Sequence, residues 1–283
     1  MPSCPQLTRI PYRSRLDGQM RECFAYLPRG YDDEPERSWP LMLFLHGNGE
    51  RGNGREDLDY VLCHGPLYEA WIQKRELPFV IVSPQLPMFD MDQHNDYLRS
   101  RRRLNIPQRL QQGVPRRPER FATPQAMAGS QCVDDMSGQA LTLPLGWEQV
   151  EEDLLELLAY AQHHLRADPA RTYITGISYG GFGTWWMASK HPELFAAMAP
   201  VVGWGHPDLM APIAVYHIPL WAFAGGRDST IELKYFYAGL NRLEELGHRD
   251  VRFTVHADME HDAWQRVYSG RDLYDWLLDQ KLG

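Results

Sequence analysis

Three residue types able to carry out acyl transfer stand in the chain order Ser178, Asp228, His261. The serine lies in Gly176-Ile177-Ser178-Tyr179-Gly180. A sharp strand-to-helix turn of this kind holds a hydroxyl out for attack, and a neighbouring base makes it nucleophilic by taking its proton. The pattern arises by chance about 0.1 times in a chain of this length, so its surroundings matter. Tyr173-Ile174-Thr175 forms an apolar run just before it, and Gly181 to Met187 opens a helical stretch just after. A serine base needs a carboxylate to fix its tautomer. Asp228, in Ala224-Gly225-Gly226-Arg227-Asp228, stands just beyond an apolar run and fits best; Asp208 and Glu232 are its rivals, and capping of the next helix is its competing use. His261, in Met259-Glu260-His261-Asp262-Ala263-Trp264, follows the last apolar run by a short loop, whereas His256 abuts that run and His248 precedes it.

Attack on an ester carbonyl develops an oxyanion, for which one backbone N–H donor is worth roughly 3 to 4 kcal/mol. Leu45-His46-Gly47-Asn48-Gly49-Glu50-Arg51-Gly52 closes an apolar run with glycines that let backbone come close to a substrate. The expected donors are the N–H groups of Tyr179 and Asn48, with Gly47 as a further candidate. The lysine of a G-x-x-x-x-G-K-[ST] phosphate loop is missing, so phosphate binding is not expected here. His46 is expected to be structural, and Glu50 and Arg51 to form an ion pair bracing the loop. Trp204, after another apolar run, either lines an acyl or alcohol pocket or packs in the core.

These residues require a frame that brings distant loops together. Short apolar runs at 39–45, 79–82, 172–175, 197–202, 219–224 and 251–255 read as buried strands. Between them, 147–165, 182–190, 233–246 and 268–281 carry apolar residues at helical spacing. The alternation predicts an α/β fold with a mostly parallel central sheet and helices on both faces. At the N-terminus, Asp17-Gly18 before the strand-like 21–27 predicts an antiparallel hairpin. Chemistry in such sheets sits beyond the C-terminal strand ends. Residues 1–283 read as a single domain, interrupted at 86–144 by an aperiodic stretch rich in Pro, Gln and Arg, far longer than an ordinary connection. This insertion either folds over the site as a lid or is a solvated loop docked on the acidic remainder.

Charge narrows the partners. The chain is net −8 with pI near 5.8, which argues against nucleic-acid binding. From Arg99 to Arg120, eight arginines face one acid, Glu119, so this stretch is +7 and the remainder −15. An arginine-rich lid would favour an acidic substrate. No run approaches the roughly 18 apolar residues of a membrane span, and none near the N-terminus has the length of a secretory core. Cys4, Cys23, Cys63 and Cys132 are widely spaced, without the pairing of a disulfide framework or zinc site. A cytoplasmic protein without metal or membrane association is expected; its oligomeric state is open, a homodimer being one outcome.

The residues 43–52, Ser83-Pro84-Gln85, the stretch 168–181 and the Asp228 and His261 motifs together resemble the α/β-hydrolase fold, and within it the dienelactone-hydrolase and prolyl-oligopeptidase-like esterases, a group that includes peptidases and carbohydrate or feruloyl esterases. The resemblance covers nearly the whole chain outside 86–144. It implies hydrolysis of a small-molecule ester through an acyl-serine intermediate, without a cofactor. Two features depart from the pattern: dienelactone hydrolases proper use a cysteine nucleophile, and the arginine-rich insertion has no counterpart. The alternatives are a serine peptidase, disfavoured because 283 residues leave no room for a gating domain, and a catalytically silent binding protein, disfavoured because all three positions are filled.

Overall fold

The computed structural model describes residues 1–117, 123–133 and 135–283. Arg120 and Glu119 of the arginine-rich stretch lie outside the described residues. Eight strands among those described form one sheet: β1 (Gln6–Arg13), β2 (Met20–Leu27), β3 (Trp39–Leu45), β4 (Val80–Ser83), β5 (Ala167–Ile177), β6 (Ala197–Val201), β7 (Leu220–Gly225) and β8 (Val251–His256). Their spatial order is β1-β2-β4-β3-β5-β6-β7-β8. The first two pair antiparallel as a hairpin, β2 pairs antiparallel with β4, and every later pair is parallel.

Every residue of β3 is buried, and alternate side chains serve opposite faces, as the two-residue strand repeat demands. Leu41, Leu43 and Leu45 join one apolar cluster, whereas Met42 and Phe44 join another on the far side. Helix α1 (Glu151–His164) seals the first face with Leu154, Leu157, Leu158 and Ala161, at the spacing of one helical stripe. It is joined there by α2 (Tyr179–Lys190), α3 (Met210–Val215) and α4 (Phe236–Glu245). The second face is covered by α5 (Trp264–Ser269) and α6 (Asp272–Leu278), together with the loops between β3 and β4.

Two elements differ from the sequence expectation. The last helical stretch, expected to run from 268 to 281, is cut in two: α5 ends at Ser269, Gly270 is extended (φ −73°, ψ 174°), and α6 starts at Asp272. Strand β5 begins at Ala167, five residues before the apolar run, because Trp39 pairs with Ala167 across a register shift and the polar segment is drawn into the ladder.

Register sets where chemistry can occur. Leu45 stands opposite Gly176, Ile177 opposite Val201, Val201 opposite Phe223 and Gly225 opposite His256. The C-terminal ends of β3, β5, β6, β7 and β8 therefore lie in one row, and the loops after them share one edge.

Among the described residues, the insertion contributes two four-residue helical turns, Met91–His94 and Asp96–Arg99, and a 3-10 turn, Arg103–Asn105, and otherwise follows irregular paths. Side chains fasten it. Arg101 donates to the Gly49 and Arg51 carbonyls, Arg109 to that of Trp71, and Arg117 grips buried Glu69. Further along, Ala128 N–H donates to the Gly226 carbonyl and Val133 N–H to that of Lys234.

Trp147, 1% exposed, lies just before α1, with its Nε1 donating to the His46 carbonyl at 3.1 Å. Trp147→Ala empties that space under the loop after β3. It should lower unfolding stability by about 3 to 5 kcal/mol, measured by urea denaturation.

Candidate active site

Ser178 sits at the junction of β5 and α2 with φ 53° and ψ −115°. A positive φ at a non-glycine residue is strained by roughly 1 to 3 kcal/mol. Packing enforces it: Ser178 N–H donates to the Val201 carbonyl at 2.9 Å, and the helix start presses on neighbouring strand ends. A Cβ at position 180 would lie 1.8 Å from the Leu45 carbonyl oxygen, and one at 176 would lie 2.3 Å from the Gly180 oxygen. Both glycines of the motif are therefore required by close approach.

His261 joins the other two side chains. Its Nε2 is 3.0 Å from Ser178 Oγ and its Nδ1 2.7 Å from Asp228 Oδ2. Asp228 is 4% exposed, and its second oxygen accepts N–H bonds from Thr230 and Ile231, both at 2.8 Å. The carboxylate thus caps the following turn and orients the histidine together. A carboxylate at Nδ1 places the proton on that nitrogen and leaves Nε2 as an acceptor for the serine hydroxyl. The Trp264 ring packs edge-on to His261 at 5.2 Å and so limits its rotation.

The rivals lie elsewhere. Asp208 sits 3.5 Å from His206 with its side chain 77% exposed, and Glu232 pairs with Lys234. His256 stacks on Phe223, and burial lowers its pKa. His248 meets the Ile218 carbonyl at 2.7 Å.

The loop after β3 approaches the elbow from the side. As first residues of helical turns, Asn48 and Tyr179 have N–H groups with no partner inside their own turns. The Gly47 N–H instead faces the Glu50 carboxyl. Gly47, Gly49 and Gly52 have dinucleotide-loop spacing, but the segment Asn48–Glu50 is one 3-10 turn and opens no long helix on which a pyrophosphate could rest. His46 is fully buried: its Nδ1 meets the Gly47 carbonyl at 2.7 Å, and its Nε2 accepts from Leu86 N–H at 2.9 Å. Burial lowers its pKa to about 3 and keeps it neutral.

The expected Glu50–Arg51 ion pair is not what forms. Arg51, fully buried, donates to the Asn48 side-chain oxygen and to the carbonyls of Pro87 at 2.9 Å and Leu145 at 2.7 Å. It lies over the Tyr179 ring at 4.7 Å, and burial lowers its pKa to about 10. Adjacent residues on a tight turn point apart, so the guanidinium braces the loop from the insertion side. The Asn48 amide also donates to the Tyr97 hydroxyl. Nothing in the sequence marked Tyr97 or Pro87 as partners.

Glu50 is left facing histidines: His46 Nδ1 at 3.8 Å and His64 Nε2 at 3.6 Å, with Arg101 and Cys63 also felt. Because His46 is neutral, that contact is no ion pair. Burial pushes the Glu50 carboxyl up to about 7.

Trp204, the expected pocket residue, is 7% exposed and packs against Phe182 at 4.9 Å and Tyr235 at 5.9 Å. Among the described residues, no group of three His, Cys, Asp or Glu side chains could hold a metal ion, and no helix is long and apolar enough to cross a membrane.

This is the α/β-hydrolase fold. The model of the prolyl oligopeptidase family matches residues 143–213, a span that contains the Ser178 elbow. A poly(3-hydroxyalkanoate) depolymerase C from Paucimonas lemoignei is 50% identical over 36 residues, 13% of this chain and 9% of the depolymerase. A thermostable esterase of known structure superposes with a TM-score of 0.60 at 23% identity, over 97% of this chain and 63% of the esterase. The S-formylglutathione hydrolase of Staphylococcus aureus superposes with a TM-score of 0.60 at 13% identity, over 99% and 98%.

A carboxyl whose folded pKa near 7 lies above its ordinary 4.5 keeps its proton in the native state after the unfolded chain has lost it. Stability therefore falls as pH rises through that window. Glu50→Gln removes the titration. Relative to wild type, the variant should gain up to about 3 kcal/mol between about pH 5 and pH 8, read from urea unfolding at both pH values; a constant difference would show that Glu50 ionises normally.

Proposed function

We propose that this chain is a serine hydrolase that cleaves carboxylic esters through an acyl-serine intermediate. The observation that carries the reading is His261, which bridges Ser178 Oγ at 3.0 Å and Asp228 at 2.7 Å on a strained strand-to-helix turn. In the forward step Ser178 Oγ bonds to the ester carbon while its proton moves to His261 Nε2, and Asp228 stabilises the resulting imidazolium. The oxyanion rests on the N–H groups of Tyr179 and Asn48. The C–O bond to the alcohol then breaks, and the alcohol leaves with the proton held by His261. Water, deprotonated by the same nitrogen, attacks the acyl-serine; the bond from the acyl carbon to Ser178 Oγ then breaks, His261 returns the proton to Oγ, and the acid is released. The reaction balances with water alone and requires no cofactor.

The family match over 143–213 favours one second reading, hydrolysis of a peptide bond at the same serine. Peptidyl p-nitroanilides separate the two, since either enzyme would cleave an activated ester: the esterase should leave the anilides intact, and their turnover would favour the peptidase. We also propose a cytoplasmic location; four cysteines, none of them in a disulfide, favour a compartment that keeps thiols reduced.

A fluorophosphonate probe should label wild type and not Ser178→Ala. The same substitution should lower p-nitrophenyl acetate turnover by roughly a million-fold, since members of a relay act as a unit. Asp228→Asn should cost about 10⁴ in kcat by offering His261 the wrong tautomer. Labelling that persists in Ser178→Ala, or a loss under about tenfold, would reject Ser178 as the nucleophile.

A further inference from the structure

A cleft of about 1200 Å³ opens beside the relay. Met259 and Trp264, which flank His261, line its inner end together with Gly49 and Glu50 of the loop after β3. Its outer wall is built by the insertion, including Arg101, Arg102, Arg116 and Arg117. The volume exceeds the roughly 1,000 Å³ that bounds pockets for drug-sized ligands, so the space is larger than a short-chain ester would fill.

Most of the charge facing the cleft is already committed. Arg117 grips Glu69, which is 2% exposed, and Arg266 holds Asp258 through two contacts at 2.6 and 2.7 Å. Arg101 is pinned to the Gly49 carbonyl at 3.0 Å and lies 3.9 Å over the Tyr60 ring. Arg102 differs. It is exposed on the cleft wall; its carbonyl accepts from Asn105 N–H at 2.9 Å, but no hydrogen bond or ion pair engages its guanidinium among the described residues. Its backbone is held by its anchored neighbour and by the turn Arg103–Asn105 that it precedes, so the guanidinium has a fixed base and a free fork. The rings of Tyr68, Tyr97 and Trp264 also line the cleft.

We propose that the cleft holds the part of the ester remote from the scissile bond, and that Arg102 takes a carboxylate or phosphate group carried on that part. A planar guanidinium matches either group through paired N–H donors. The arrangement gives the substrate a direction: ester at the glycine loop, anion at the exposed arginine. This rests on the serine-hydrolase reading and adds to it the class of substrate.

The test uses the full chain and two series of chromogenic esters. One carries methyl, carboxylate or phosphate at the end of the acyl chain, and the other carries the same groups on the alcohol. In one series at least, wild type should favour an anionic member over the methyl member in kcat/KM, through KM, and added salt should weaken that preference. Arg102→Glu should lower the anionic-to-neutral ratio about tenfold, the loss of one charge-assisted contact at an exposed rim. Arg102→Lys should retain part of it. Whichever anion is favoured identifies the group that the rim accepts. If Ser178→Ala abolishes turnover yet wild type shows no anionic preference in either series, or Arg102→Glu leaves the ratio unchanged, the subsite is overturned and the hydrolase reading stands. If Ser178→Ala still turns over the esters, the hydrolase reading itself has failed.

Discussion

The carbonyl of Leu45 approaches the chain at Gly180 so closely that a single methyl group there would lie 1.8 Å from the oxygen. That contact joins the end of β3, the end of β5 and the start of α2 without a side chain between them. Moving any one of the three by the thickness of a methyl would relax Ser178 out of its positive-φ conformation, and with it the direction of Oγ. The same contact fixes how near the loop after β3 comes to the serine, and therefore where the Asn48 and Tyr179 N–H groups point. At the other side of the site the device recurs. A Cβ at Gly225 would lie 2.1 Å from the Glu260 carbonyl, so the end of β7 presses on the loop that carries His261. Backbone packed on backbone sets the positions; the hydrogen bonds of His261 then select orientation within them.

Strain at Ser178 is tolerable because its neighbours remain fully bonded. Its N–H is taken by Val201, its carbonyl by Phe182 N–H, and the sheet continues on both sides. Asp228 is treated similarly: of its two oxygens, one is spent on Thr230 and Ile231 and the other on His261. A carboxylate with one face tied to backbone N–H groups cannot swing to a second partner, so the tautomer of His261 is determined by local chain geometry beyond β7.

Much of this was legible in the sequence, because burial on both faces writes itself as continuous apolar runs and the elbow needs glycines at fixed offsets. The runs at 39–45 and 197–202 became β3 and β6 almost residue for residue, and Ser178, Asp228 and His261 lie within hydrogen-bond reach. What was not legible depended on contacts between distant segments. The polar residues Asp168 to Arg171 carry no strand pattern, and only pairing with Trp39 draws them into β5. Glu50 and Arg51 looked like an ion pair because opposite charges are adjacent. A tight turn sends neighbouring side chains apart, and the partners of Arg51 lie at 87 and 145. Residue types alone say nothing of carbonyl oxygens, which is where this arginine went.

The insertion extends that point from one residue to a segment. Its surplus positive charge against an acidic remainder suggests ion pairing, and Arg101 and Arg103 do meet Asp57 and Asp59 while Arg117 meets Glu69; three of its arginines bond as well to main-chain carbonyls, at Gly49, Glu56 and Trp71. A chain without helix or strand periodicity leaves its own backbone groups, and those of the loops it covers, short of regular partners. A guanidinium with five donors can serve several carbonyls at once. Arginine richness here therefore also acts as a substitute for secondary structure. The consequence reaches the site. Residues 97–117 bond to the loops after β3, while 125–136 bond to the Asp228 side, through Arg227 to the Gln125 carbonyl at 2.8 Å and Ala128 N–H to Gly226 at 2.9 Å. One covalent segment thus fastens to the loop bearing Asn48 and to the loop bearing Asp228. A shift of the loop bearing Asn48 must be accommodated by residues 97–117, which also wall the cleft, and this couples the space available to a substrate with the placement of the groups that would act on it.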